Sequence, residues 1–105
     1  MATKNKKVKK TENRYVIVRT YSAGVFAGEL VSRKEKEVEL KNCRRLWQWS
    51  GAASLSQLAV DGTKNPSACK FPAATSRHEL TEAIEIIDVT PKARASIEKV
   101  PIWSA

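Results

Sequence analysis

The chain changes character at residue 14. Lysine-rich sequence gives way to Arg14-Tyr-Val-Ile-Val-Arg-Thr-Tyr21, a β-branched and aromatic run that suits an extended strand. Side chains alternate across a strand, so Tyr15, Ile17 and Tyr21 fall on one face and Val16, Val18 and Thr20 on the other. Both faces are largely apolar, which places this strand in the interior of a sheet. The remaining elements are read around it.

Ser22-Ala23-Gly24 supplies a turn, and a second strand is expected from Val25 to about Ser32. Arg33-Lys34-Glu35-Lys36 reads as a charged hairpin tip, after which Glu37-Val38-Glu39-Leu40 alternates charge and apolar side chains. The three strands form an antiparallel meander. Asn42–Trp49 fits either a strand or a helix. Leu55, Leu58 and Ala59 then follow at helical spacing, with Ser54 as N-cap and Gln57 three residues later in a capping-box pattern. Gly62 is the expected stop, and residues 61–69 the loop beyond it.

Short strands are expected at Lys70–Phe71 and Glu82–Val89. Thr90-Pro91 starts a last helix, which runs to about Val100 with Ala93, Ile97 and Val100 inward and ends at Pro101. The expected architecture is α+β: a twisted antiparallel sheet of four to five strands with one or two short helices on one face. It is assigned to residues 14–105 as a single domain, and a chain of 105 residues can bury one core without metal or disulfide staples.

The charge is unevenly spread. Residues 1–13 hold Lys4, Lys6, Lys7, Lys9 and Lys10 against the single acid Glu12, so about half of the net charge of +8 lies outside the apolar pattern. This tail is expected to be a disordered, solvated arm that makes weak, non-specific nucleic-acid contacts through its five lysines. No apolar run approaches the roughly 18 residues of a membrane helix, and no apolar h-region follows the basic start. No membrane partner is expected, and the location expected is the cytoplasm.

Few catalytic chemistries find their residues here. His78 is the one histidine and stands in a polar stretch, where an exposed ring is expected. There is no H-E-x-x-H, no P-loop, no G-x-G-x-x-G and no G-x-S-x-G. Glu82, Glu85 and Asp88 do not share one strand face, so they read as a solvated rim. Cys43 and Cys69 are expected to be buried, reduced thiols. No catalytic residue, metal ligand or cofactor is assigned, and the expectation is a protein that binds rather than one that catalyses.

One cluster suits a ligand or partner: Arg44, Arg45, Trp47, Trp49, Ser50, Gly51 and Ser54. In strand geometry Arg45, Trp47 and Trp49 share a face, with Arg44 opposite. Small residues from Ser50 to Ala53 leave backbone N–H groups near a helix start, where anions bind. Arginine for phosphate and tryptophan for base stacking complete a set that suits a nucleotide. Trp47 is expected to be buried and Trp49 more exposed.

Three stretches carry a resemblance: Tyr15-Val-Ile-Val-Arg-Thr-Tyr-Ser-Ala-Gly-Val, Arg44-Arg-Leu-Trp-Gln-Trp-Ser-Gly-Ala-Ala-Ser-Leu-Ser-Gln-Leu-Ala, and Thr81-Glu-Ala-Ile-Glu-Ile-Ile. Over residues 14–103, and without the lysine tail, the chain resembles a family of short, uncharacterised proteins encoded by tailed bacteriophages. That resemblance implies a setting, the cytoplasm of an infected bacterial host, rather than a mechanism. The first expectation is a host-takeover or anti-defence factor that binds a host protein or a nucleotide-type small molecule through the Arg44–Ser54 segment. The alternatives are a nucleic-acid-binding accessory protein using the lysine tail, and a minor virion or assembly component.

Overall fold

The computed structural model describes residues 14–104. The lysine tail therefore lies outside the described residues. Five strands and two α-helices follow in the order β1 (Tyr15–Thr20), β2 (Val25–Lys34), β3 (Glu37–Arg45), α1 (Leu55–Asp61), β4 (Thr75–Leu80), β5 (Ala83–Asp88) and α2 (Pro91–Lys99). A turn of 3₁₀ helix, Pro66–Ala68, interrupts the loop after α1. The strands make one antiparallel sheet in the order β4-β3-β2-β1-β5, an α+β fold.

The connection between β4 and β5 dictates the shape of that sheet. The two strands lie at opposite edges, yet only Thr81 and Glu82 join them. Two linking residues span at most about 11 Å. Four interstrand spacings in a flat sheet take about 19 Å. The sheet must curl, and it does: the Lys36 carbonyl at the β2–β3 tip accepts the Ala83 N–H at 3.0 Å, and the Glu82 carbonyl accepts the Tyr21 N–H at 3.0 Å. The edges themselves do not pair, so the curl stays open.

Irregularities in the β2–β3 ladder help the sheet bend. The register shifts between Ala27 and Glu29, opposite Asn42 with its positive φ of 50°, and again between Leu30 and Ser32. At the first shift the backbones approach closely: a Cβ on Gly28 would sit 3.1 Å from the Cys43 Cα and 3.2 Å from the Lys41 carbonyl oxygen. Glycine leaves that contact free.

The curl has a core on each side. Val16, Val18, Phe26, Val38, Leu40, Cys43 and Leu80 fill the concave side. On the convex side Tyr15, Ile17 and Ala27 pack with Leu58, Ala59, Phe71 and Ile97 under the two helices. The doubly apolar pattern of β1 is thus answered on both faces. Both helix starts follow the sequence: Ser54 Oγ accepts the Gln57 N–H and Thr90 Oγ1 accepts the Ala93 N–H. Gly62 caps the end of α1. The Thr90 N–H and hydroxyl also donate to the Ala59 and Val60 carbonyls, which ties the start of α2 to α1.

Two expectations need correction. The fifth strand is not Lys70–Phe71, which makes only isolated bridges to Gln48 and Ile102; it is Thr75–Leu80. That strand has one buried residue, Leu80, and is held by pairing with β3 and by Arg77 between Glu39 and Glu79. Its polar sequence hides it from an apolar-pattern reading. His78 is half-buried rather than exposed, because strand parity turns it inward with Leu80: its ring lies 5.0 Å from Phe26 and its Nδ1 2.9 Å from Thr75 Oγ1. Within Asn42–Trp49, residues 42–45 finish β3 and the rest leaves the sheet. The two cysteines are buried and free, as expected.

Burial pushes the Cys43 thiol up to about 12. Burial, assisted by the Glu98 carboxylate, does the same to the Tyr15 phenol. Ordinary values are about 8.5 and 10, so both groups favour the folded state while neutral. Their contribution is complete below the unfolded values and is lost as pH rises through the folded ones. Unfolding free energy measured by denaturant titration should be flat between about pH 7 and 8 and fall between about pH 9 and 12. Stability that rises with pH over the latter range would contradict this packing.

Candidate functional site

Arg44 and Arg45 end β3 and point to opposite sides of it. Arg44 turns to the helical side and is buried. A guanidinium has five N–H donors, and each of Arg44's meets a backbone carbonyl. Nε donates to Pro72 at 3.0 Å; Nη1 donates to Ile97 at 3.0 Å and Val100 at 2.9 Å; Nη2 donates to Phe71 at 2.6 Å and Pro101 at 3.4 Å. Burial lowers its pKa from the usual guanidinium range. The residue is therefore committed to the fold and is not open to an anion.

Arg45 turns into the curl. Its guanidinium stacks 4.5 Å above the Phe26 ring and donates to the Ala23 carbonyl. It lines a cavity of about 170 Å³ with Thr20, Phe26, His78, Glu79 and Glu82. Ligand pockets for drug-sized molecules run from about 300 Å³ upward, and this cavity is smaller.

Around the helix start the expected anion site is occupied by the chain's own caps. The Ala53 N–H donates to Gln57 Oε1 at 2.8 Å, the Gln57 N–H to Ser54 Oγ at 3.1 Å, and the Ser50 N–H to Cys69 Sγ at 3.4 Å. The Ser50 carbonyl accepts from Thr63 Oγ1. Gly51, at φ 81°, lies so close to the next loop that a Cβ would meet the backbone nitrogens of Lys64 and Asn65 at 2.7 and 2.6 Å. Ser50, Gly51 and Ser54 thus fix the loop and the helix. The seven candidate residues do not converge on one pocket.

The tryptophans divide in the opposite sense to the expectation. Trp47 is 62% exposed, whereas Trp49 is half-buried against the convex core. The cause is the end of β3: strand alternation stops at Arg45, Leu46 takes the inward slot, and the next inward residue is Trp49. Trp47 is left outside.

A pair of isolated bridges then gives Trp47 neighbours that sequence spacing does not supply. The Trp47 N–H donates to the Lys70 carbonyl at 3.1 Å, and the Trp103 N–H donates to the Phe71 carbonyl at 3.1 Å. Consecutive carbonyls of an extended segment point to opposite sides, so the two tryptophan segments flank residues 70–71. Trp103 is 40% exposed, Ile102 is 66% exposed, and Lys70 Nζ lies 5.6 Å from the centre of the Trp103 ring. The surface segments that build this end, residues 46–54, 62–74 and 99–104, contain Lys64, Lys70 and Lys99 and no carboxylate. Elsewhere acids sit beside bases, as in Arg14–Asp88, Arg19–Glu85 and Arg94–Glu29. Sequence reading missed Lys70, Ile102 and Trp103; the only signals were the Lys70–Phe71 strand pattern and a tryptophan just past the final proline.

Residues 13–97 match a family described as a domain of unknown function, DUF6948. The chain belongs to that family. No curated protein and no solved structure matches it.

The two kinds of candidate residue separate by stability. Replacing Arg44 with alanine removes its hydrogen bonds to five carbonyls, three of them buried, and should cost about 3–5 kcal/mol. For a domain of this size that lowers the melting temperature by at least about 12 °C. Arg44→Lys keeps the charge but not the fork and should rescue it only in part. Trp47→Ala should stay within about 1 kcal/mol of wild type, as surface changes do. Thermal unfolding of the three variants checks this; a Trp47→Ala loss equal to that of Arg44→Ala would contradict the assignment.

Proposed function

We propose that this protein works by binding a macromolecular partner without catalysing a reaction, and that its contact surface is the end carrying Trp47, Gln48, Lys70, Ile102 and Trp103. One observation carries the reading. Two indoles stand open to solvent on either side of one extended segment, with the Lys70 ammonium 5.6 Å from the Trp103 ring. Tryptophan is the side chain that most often dominates an interface, because it offers a large apolar area at low entropic cost. Exposed aromatic side chains of this kind favour a macromolecule over a sequestered nucleotide.

In the setting that the phage resemblance implies, the partner belongs to the infected host, met in its cytoplasm during takeover or suppression of defence. Arg44, Ser50, Gly51 and Ser54 support the surface from beneath, Trp49 anchors it to the core, and Arg45 faces away from it.

Affinity capture from bacterial host lysate tests the reading, with wild-type, Trp47→Ala and Trp103→Ala proteins as baits and both protein and nucleic acid analysed in the eluates. A species retained by wild type should be lost from both variants while their circular dichroism stays native. Identical eluates from all three baits would reject this surface.

A further inference from the structure

We infer that the partner seated on this surface is a single strand of nucleic acid, with a base stacked on each of Trp47 and Trp103 and the phosphates running past Lys70; this rests on the binding surface proposed above. Three observations point the same way. First, both indoles are exposed, and they flank residues 70–71 on opposite sides. Their backbones are then about two strand spacings apart, roughly 10 Å, which leaves each ring its own base. Single-strand binding proteins use this combination of aromatic platforms and a basic track, since every base has a face to stack.

Second, Lys64, Lys70 and Lys99 lie in the segments that build this end, and the acids next to those segments, Asp61 and Glu98, are paired with Lys92 and Arg94. Third, lysine is depleted in protein–protein interfaces, so indoles interleaved with lysine fit nucleic acid better than a host protein. A duplex is a poor occupant, because its bases are stacked on one another and cannot open onto two indoles without unpairing.

All three tryptophans of the chain lie in or under this surface, so intrinsic fluorescence reports on it directly. The test is a titration of the full-length protein with a thymidine oligonucleotide of about 15 nucleotides, near the upper site size of such proteins, at low and moderate salt. Wild type should show quenching and saturable binding. Trp47→Ala and Trp103→Ala should each weaken it by about 5- to 150-fold, the range for loss of one stacked base. Trp47→Phe should recover most of the affinity. A full-length variant with glutamine at the five tail lysine positions should flatten the salt dependence but keep its sensitivity to Trp47→Ala.

Binding that ignores both tryptophan substitutions, or a duplex of equal length binding as tightly, would overturn the inference and leave the lysines as a non-specific anchor. Absence of oligonucleotide binding, together with a host protein captured by wild type and lost by Trp47→Ala, would overturn the inference while keeping the binding surface. Absence of both would overturn both.

Discussion

The five bonds of Arg44 tie the end of α2 to the segments around Phe71 and Pro101. Ile97 and Val100 present carbonyls at the end of α2, where a helix lacks internal donors. Pro72 and Pro101 belong to irregular segments whose carbonyls would otherwise need water, and the Phe71 carbonyl accepts from Arg44 as well as from the Trp103 N–H. A guanidinium is the one side chain with enough fixed donors to satisfy all five from a single buried position. Its Cα is set by β3, whose pairing with β2 at Ala27 fixes the direction of the side chain. The sheet thus locates Arg44, and Arg44 locates the end of α2 and the segments carrying Lys70, Ile102 and Trp103. The candidate surface is exposed, but its geometry is decided in the core.

Much of the fold was legible because local signals and burial agree. The two apolar faces of Tyr15–Val18, the turn at Gly24, the capping residues Ser54 and Thr90, and the alternation of Ala93, Ile97 and Val100 each have one physical cause visible in a few residues. The strand Thr75–Leu80 had none. It is held by an edge pairing and by cross-strand ion pairs, and neither leaves an apolar period. The two-residue link between opposite edges is equally silent in sequence, although it forces the sheet to curl.

The candidate site was legible by composition and not by geometry. Arg44, Arg45 and Trp47 are neighbours along the chain, but strand parity sends the arginines to opposite sides. The indoles then divide because β3 ends at Arg45. Sequence can flag an unusual density of arginine and tryptophan; it does not say which residue spends its donors on the fold. Conversely, Trp103 meets Lys70 only through bridges between segments far apart in the chain. The resulting division of labour has physical sense. Arginine, with its rigid fork, is buried at the centre, while lysines on flexible stems surround the indoles at the surface.

On the proposed surface the open indoles stand among lysines, in a cationic surround. Collisional quenching of tryptophan fluorescence by iodide and by caesium, at matched ionic strength, measures this directly, because a positive surface enriches the anion and repels the cation. Iodide should quench wild type markedly better than caesium, and Trp47→Ala should lose most of that difference. Equal quenching by the two ions, or a difference that Trp47→Ala leaves unchanged, would contradict it.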